Sequence, residues 1–238
     1  HGDLGRSFFT NKSVMGQLAK RIPISLRLAG FSMILTIVFG VGFGVLMAVQ
    51  KDRLLDHVLG TFSTVALSVP GFWIAIVLIF IFAEQWKILP SSGISDGSGF
   101  ILPAVTLALP SIGVCARLTR SAILDEIGRQ YMTVADAKGM SRRHAVICHA
   151  FGNALIPIIT YLGNHMAGII GGASIVETIF AIPGIGSYAI AGVQSKDYYV
   201  VQAYVLFSGC IYVLTNILID LIYIALDPKI RAGEAVES

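Results

Sequence analysis

Charge is the scarcest commodity in this sequence. Asp, Glu, Lys and Arg together make up 13% of 238 residues, against roughly 25% in an ordinary soluble domain. A soluble chain of this size would need a core too large for its polar surface. The net charge of +3 is too small to point to a nucleic-acid partner. Cysteine is scarce too. Cys115, Cys148 and Cys210 are odd in number and two fall in apolar runs, so they make no disulfide framework and read as small hydrophobes. No G-x-x-x-x-G-K-[ST] is present, which excludes a P-loop on this chain. Neither H-E-x-x-H nor G-x-S-G occurs, so a membrane protease has no motif to stand on.

What is abundant is oil. Hydrophobic residues make up 55% of the chain, and the mean hydropathy is +0.78. Five long apolar runs stand out, at about 28–49, 58–83, 101–118, 153–176 and 200–226. A run of ~18–20 apolar residues is long enough to cross a bilayer as a helix. These runs predict an all-α, multi-pass membrane protein with a transmembrane domain over 26–226. Glycine is frequent within them (Gly40, Gly42, Gly44, Gly163, Gly168, Gly171, Gly172), and small residues let helices approach closely in lipid. Pro70, Pro103, Pro110 and Pro157 begin or interrupt runs. The pattern fits a bundle around a path, and it fits ordinary helix packing as well.

Basic residues set an orientation. Lys51 and Arg53, then Arg117, Arg120, Arg129, Lys138, Arg142 and Arg143, then Lys229 and Arg231 fall on one side. The intervening loops carry only Lys87 and Lys196. The positive-inside rule places the charged stretch 119–152 and the tail 227–238 in the cytoplasm. Residues 1–25 then lie outside despite Arg6, Lys12, Lys20 and Arg21. A hydrophilic, basic segment needs something to carry it across. The expectation is an earlier membrane helix, giving six spans with both ends inside.

Charges near or inside the runs are few. Glu177 follows the fourth and Asp220 lies in the fifth. Each should face protein, water or a partner, because lipid penalises charge, and both read as structural anchors. Working charges of a self-sufficient channel or proton-coupled carrier are the alternative. His165-Met166 sits near the middle of the fourth run. The imidazole is a candidate lining of a translocation path, with Met166, Gly168, Gly172 and Ser174 nearby in sequence. A satisfied interhelical histidine is the plainer reading. One His and one Met do not complete a metal shell, so no metal site is assigned and His165 is only a weak candidate ligand.

The charged stretch has internal grammar. Ile127, Tyr131, Val134 and Ala137 recur at helical spacing, Lys138 complements a helix C-terminus, and Gly139 suits a left-handed C-cap. Ser141 is placed to cap a second short helix running to about Phe151. Ala135, Ala137 and Gly139 make the corner small, and Lys138, Arg142 and Arg143 charge it. A surface of this kind fits a partner's groove, and a solvated hairpin without a partner is equally consistent.

Thr133-Val-Ala-Asp-Ala-Lys-Gly139, followed by His149-Ala-Phe-Gly-Asn-Ala-Leu-Ile-Pro157, resembles the EAA loop of binding-protein-dependent ABC importer permeases. The likeness is to the dipeptide/oligopeptide/nickel branch, with its MetI-like bundle. Arg21-Ile-Pro-Ile-Ser-Leu26 resembles the entry to a span of that branch. Gly171-Gly-Ala-Ser-Ile-Val-Glu177-Thr-Ile-Phe-Ala-Ile-Pro-Gly-Ile-Gly186, Asp197-Tyr, Gln202 and Asp227-Pro-Lys-Ile-Arg231 resemble its later segments. Thr133 stands where the broad motif has Glu, and Gly152 replaces a proline.

Resemblance implies a non-catalytic subunit of an importer in the bacterial inner membrane. It implies a second, similar permease, two cytoplasmic ATPase subunits and an extracytoplasmic substrate-binding protein. ATP and Mg would sit on the ATPases, and this chain would hold no cofactor. Thr133, Ala135, Ala137, Lys138, Gly139, Ser141, Arg142 and Arg143 would form the coupling surface. The cargo would be short peptides or nickel and metal chelates, and a histidine at 165 looks more like the nickel permeases.

Overall fold

The computed structural model describes residues 4–94, 97–129 and 150–226, and for 170–172 and 223–226 the backbone alone. The residues named for the coupling surface, Thr133 through Arg143, lie outside these segments, as does the tail from 227. All the described secondary structure is helical apart from one isolated antiparallel bridge, Arg6 to Ser13.

Helix α1 spans Val14–Leu35 and continues through a π-helical turn, Thr36–Val41, into α2, Gly42–Val49. It starts well before the first apolar run. Val14, Leu18, Ser25, Leu28, Ala29 and Ser32 are buried and recur at helical spacing. An amphipathic stripe therefore carries the helix through Lys20, Arg21 and Pro23, where a search for uncharged runs stops. Helix α3 spans Leu54–Ser68, and Pro70 separates it from α4, Gly71–Leu78, which ends in a π-helical stretch, Ile79–Gln85. Proline removes a donor and biases the residue before it out of the helical region, so the 26-residue second run is two helices. A short 3₁₀ turn, Gly97–Phe100, leads into α5, Ile101–Ile127. Then follow α6, Phe151–Gly172, α7, Ser174–Ile179, α8, Ile185–Gln194, and α9, Tyr198–Leu226.

Among the described residues, three helices are long and apolar enough to cross a membrane: Val14–Val49, Gly97–Ile127 and Tyr198–Ile222. The broken pair α3 and α4 makes a fourth if it acts as one span. Helix α6 covers most of the fourth apolar run.

Residues form two compact units. One comprises His1–Leu35, Ser68–Pro110 and Met166–Tyr212. Its core includes Val14, Leu18, Leu28, Phe180, Ile182, Ile185 and Val200. The other comprises Thr36–Leu67, Ser111–His165 and Val213–Ser238, with Ala48, Ile123, Ala150, Ala154 and Ile158 at its core. Close helix approach in the second unit rests on glycine. A Cβ on Gly44 would strike Thr119 and the Ala116 carbonyl, and one on Gly113 would meet the Ser63 carbonyl at 2.7 Å. Small residues at such crossings gain dispersion contacts that larger ones would block.

Candidate functional site

The first unit is organised around a buried carboxyl. Glu177, in α7, is fully buried. Ser25 Oγ of α1 donates to its Oε1, and the Ser187 N–H of α8 donates to Oε2 at 2.9 Å. The Gly186 N–H is a further donor. Ser25 is used twice, because its Oγ also accepts from the Ile185 N–H at 2.9 Å. One carboxyl thus joins three helices and satisfies N–H groups in the first turn of α8, which have no partner within that helix. Burial pushes the Glu177 carboxyl above its ordinary pKa, while Ser25, the Ser187 and Gly186 N–H groups and the Arg21 charge pull it down. Gly184 leaves room for the group, since a Cβ there would strike the carboxyl itself.

Beside it, Arg21 lies 4.6 Å from the centre of the Tyr188 ring, a cation–π arrangement. Ser174 Oγ and the Tyr204 hydroxyl are 3.2 Å apart. A second tie closes the N-terminal segment onto the turn before α9, where buried Ser7 donates to Asp197 Oδ2 at 2.6 Å. Phe8 and Tyr199 pack with ring centres 4.9 Å apart.

The second unit holds a charged pair and the candidate histidine. Arg120 of α5 forks onto Asp56 of α3, Nε to Oδ1 and Nη2 to Oδ2, both at 2.7 Å. Asp56 is buried and also accepts from the Asp52 N–H at 2.9 Å. His165 of α6 stacks on Tyr161 one turn earlier, with ring centres 5.6 Å apart and planes 4° from parallel. The Tyr161 hydroxyl donates to the Ser111 carbonyl at 3.2 Å. His165 Nε2 is buried without a hydrogen-bond partner among the described residues.

The remaining expected path residues are placed separately. Met166 packs against the core of the first unit, and Gly168 is exposed with open space around it. Gly172 ends α6. Asp220 is exposed on α9 and makes no ion pair among the described residues. No group of three His, Cys, Asp or Glu able to hold a metal occurs among them.

Sequence reasoning passed over Ser25, Asp56, Arg120 and Ser7 as site residues. The available signal was the cost of charge in an apolar setting. An arginine within the third apolar helix and an aspartate beginning the second each need a partner, but their separation along the chain hides the match.

Residues 40–232 match the family model of the binding-protein-dependent transport system inner membrane component. The chain belongs to this family. A peptide ABC transporter permease protein of Sinorhizobium fredii is 39% identical over 97% of this chain and 76% of its own length. The D,D-dipeptide transport system permease protein DdpB of Escherichia coli K12 is 34% identical over 98% and 77%. The glutathione transport system permease protein GsiC of Escherichia coli O6:H1 is 34% identical over 97% and 75%. Among solved structures, the inward-facing MetNI methionine ABC transporter matches with a TM-score of 0.73 at 17% identity, over 90% of this chain and 97% of that one. An amino acid ABC transporter crystallised with histidines matches with a TM-score of 0.70 at 18% identity, over 87% and 93%. These two share its fold.

This inner-membrane permease is therefore a non-catalytic component of an ABC transporter. Its system includes an ATP-binding component and a substrate-binding protein. Energy enters from a partner, which sets aside the self-sufficient channel or carrier.

Proposed function

We propose that this permease forms half of the import path for short peptides. What carries the reading is the identity of 34–39%, across nearly the whole chain, to permeases named for peptides, D,D-dipeptides and glutathione. A second, similar permease completes the path, and an extracytoplasmic binding protein loads it from outside. Two ATPases with ATP and Mg drive it from the cytoplasm. The basic loops and the tail face the cytoplasm, in keeping with the positive-inside rule. The stretch around Gly139 is the coupling surface, and closure of the ATPases rocks the helices between outward- and inward-facing states. His165, with Met166, Gly168, Gly172 and Ser174, lines the path.

The deciding experiment is identification of the ligand on the cognate binding protein by mass spectrometry after purification. A short peptide supports the proposal. A nickel ion or metal chelate in its place would overturn the peptide reading and favour the metal branch. Coupling has its own test. Gly139→Val places a β-branched side chain where a small corner that tolerates positive φ is expected. Transport per ATP hydrolysed should collapse in reconstituted vesicles, and a wild-type ratio would refute the coupling role.

A further inference from the structure

The second unit contains a cavity of about 520 Å³ between α3 and α5. Its α3 wall is a polar stripe, His57, Gly60, Thr61 and Thr64, recurring at i, i+3, i+4 and i+7. Facing it are Arg117 and Arg120, one turn apart on α5. Arg120 is committed to Asp56 by two 2.7 Å hydrogen bonds. Arg117 and His57 are exposed and make no ion pair among the described residues. The Asp56 charge is thus matched by Arg120, and the guanidinium of Arg117 is left over.

Leu54, Val58, Phe62 and Val65 of α3 are exposed apolar residues, which is the ordinary state of a lipid- or partner-facing surface. The stripe and the arginines need water or a polar ligand instead. From His57 to Thr64 the stripe climbs about 10 Å along the helix. Met47 supplies an adaptable apolar contact at the same cavity.

We infer that this cavity is a station on the inner half of the path, where Arg117 binds the carboxylate of a short peptide on its way to the cytoplasm. The inference rests on the peptide reading and on the orientation given above. A guanidinium fork suits a carboxylate bidentately, and Thr61 and His57 offer further polar contacts without adding a competing negative charge. The volume accommodates a molecule of two or three residues. Because Arg120 is committed to Asp56, Arg117 is the guanidinium left to meet the carboxylate among the described residues.

The test uses the whole transporter, with its binding protein, in proteoliposomes, and reads uptake of the peptide found on that binding protein. In Arg117→Gln the maximal uptake rate should fall by about tenfold, the order expected when a charge-assisted contact is removed. The concentration of loaded binding protein giving half-maximal uptake should stay unchanged, because loading occurs on the opposite face. Arg117→Lys should recover part of the rate, because it keeps the charge and loses the fork. Wild-type uptake by Arg117→Gln would overturn the station, as would an Arg117→Lys variant as slow as Arg117→Gln. So would a loss that appears with phosphatidylglycerol in the vesicles and disappears in phosphatidylcholine, which would assign the cavity to a lipid headgroup. If the wild-type transporter moves no peptide at all, the peptide reading itself has failed.

Discussion

Ser25 is the cheapest place to test whether the Glu177 cluster holds the first unit together. The hydroxyl is 2% exposed, donates to Glu177 Oε1 and accepts from the Ile185 N–H at 2.9 Å. Ser25→Ala removes both bonds and no bulk. It leaves a buried N–H at the start of α8 without its acceptor and the carboxyl with backbone donors only. Each lost buried bond costs about 1–3 kcal/mol, and partial water entry recovers some of it, so a total of about 2–4 kcal/mol is expected. That is a large share of a typical stability of roughly 5–15 kcal/mol. Ser187→Ala is the control. Its hydroxyl donates to the Ile182 and Gly184 carbonyls, at 2.8 and 3.1 Å, while the N–H that reaches Glu177 survives the substitution. It should cost about 1 kcal/mol. Denaturant unfolding in mixed micelles, read from midpoint and slope, compares the three proteins. A Ser25→Ala variant within about 0.5 kcal/mol of wild type would refute the idea that Ser25 acts as a shared bond, since surface-like substitutions fall in that range.

Other consequences are as direct. Gly44→Val should destabilise the second unit by about 1–3 kcal/mol through overpacking, because the new atoms meet the Ala116 carbonyl and Thr119. Gly30→Ala, with nothing within 4 Å of the new Cβ, should be neutral or gain up to about 1 kcal/mol, and thermal unfolding of both variants checks the contrast. Asp56→Asn should cost about 1–3 kcal/mol, discounted from a fully buried pair because the Arg120 side chain is 28% exposed. Exchanging the charges in Asp56→Arg/Arg120→Asp should restore part of the loss, and an exchange worse than the sum of its single substitutions would show that the pair does not act as one. His165→Ala should lower uptake in vesicles for the ligand its binding protein accepts, and unchanged uptake of every accepted ligand would remove His165 from the path.

Legibility in the sequence followed the range of the interactions. The all-α membrane class was readable because it depends on composition and run length, which are local. The family was readable from contiguous motifs such as Gly171–Gly186 and Thr133–Gly139. Helix limits were less so. Charges at Lys20 and Arg21 end an uncharged run, yet the buried stripe of α1 continues past them to Val14, and Pro70 divides a run that hydropathy alone joins. Glu177 was singled out early, but Ser25 was not, because the two lie 152 residues apart and no local pattern joins them. Asp56 and Arg120 are 64 residues apart and were hidden for the same reason.

By itself, then, the sequence determined what the solvent would be. Too few charges to clothe a globule, and apolar runs long enough for a bilayer, leave helices in lipid as the available outcome, because an isolated helix is the one element that satisfies its own backbone there. Tertiary structure decided which polar groups meet. It turned Glu177 from a charge beside a span into a knot of three helices, matched Asp56 to Arg120, and left Arg117 beside a cavity with no ion pair among the described residues. Such pairings depend on how helices pack side by side, and only a few kilocalories of packing and hydrogen bonding, spread over distant residues, choose among the ways they can do so.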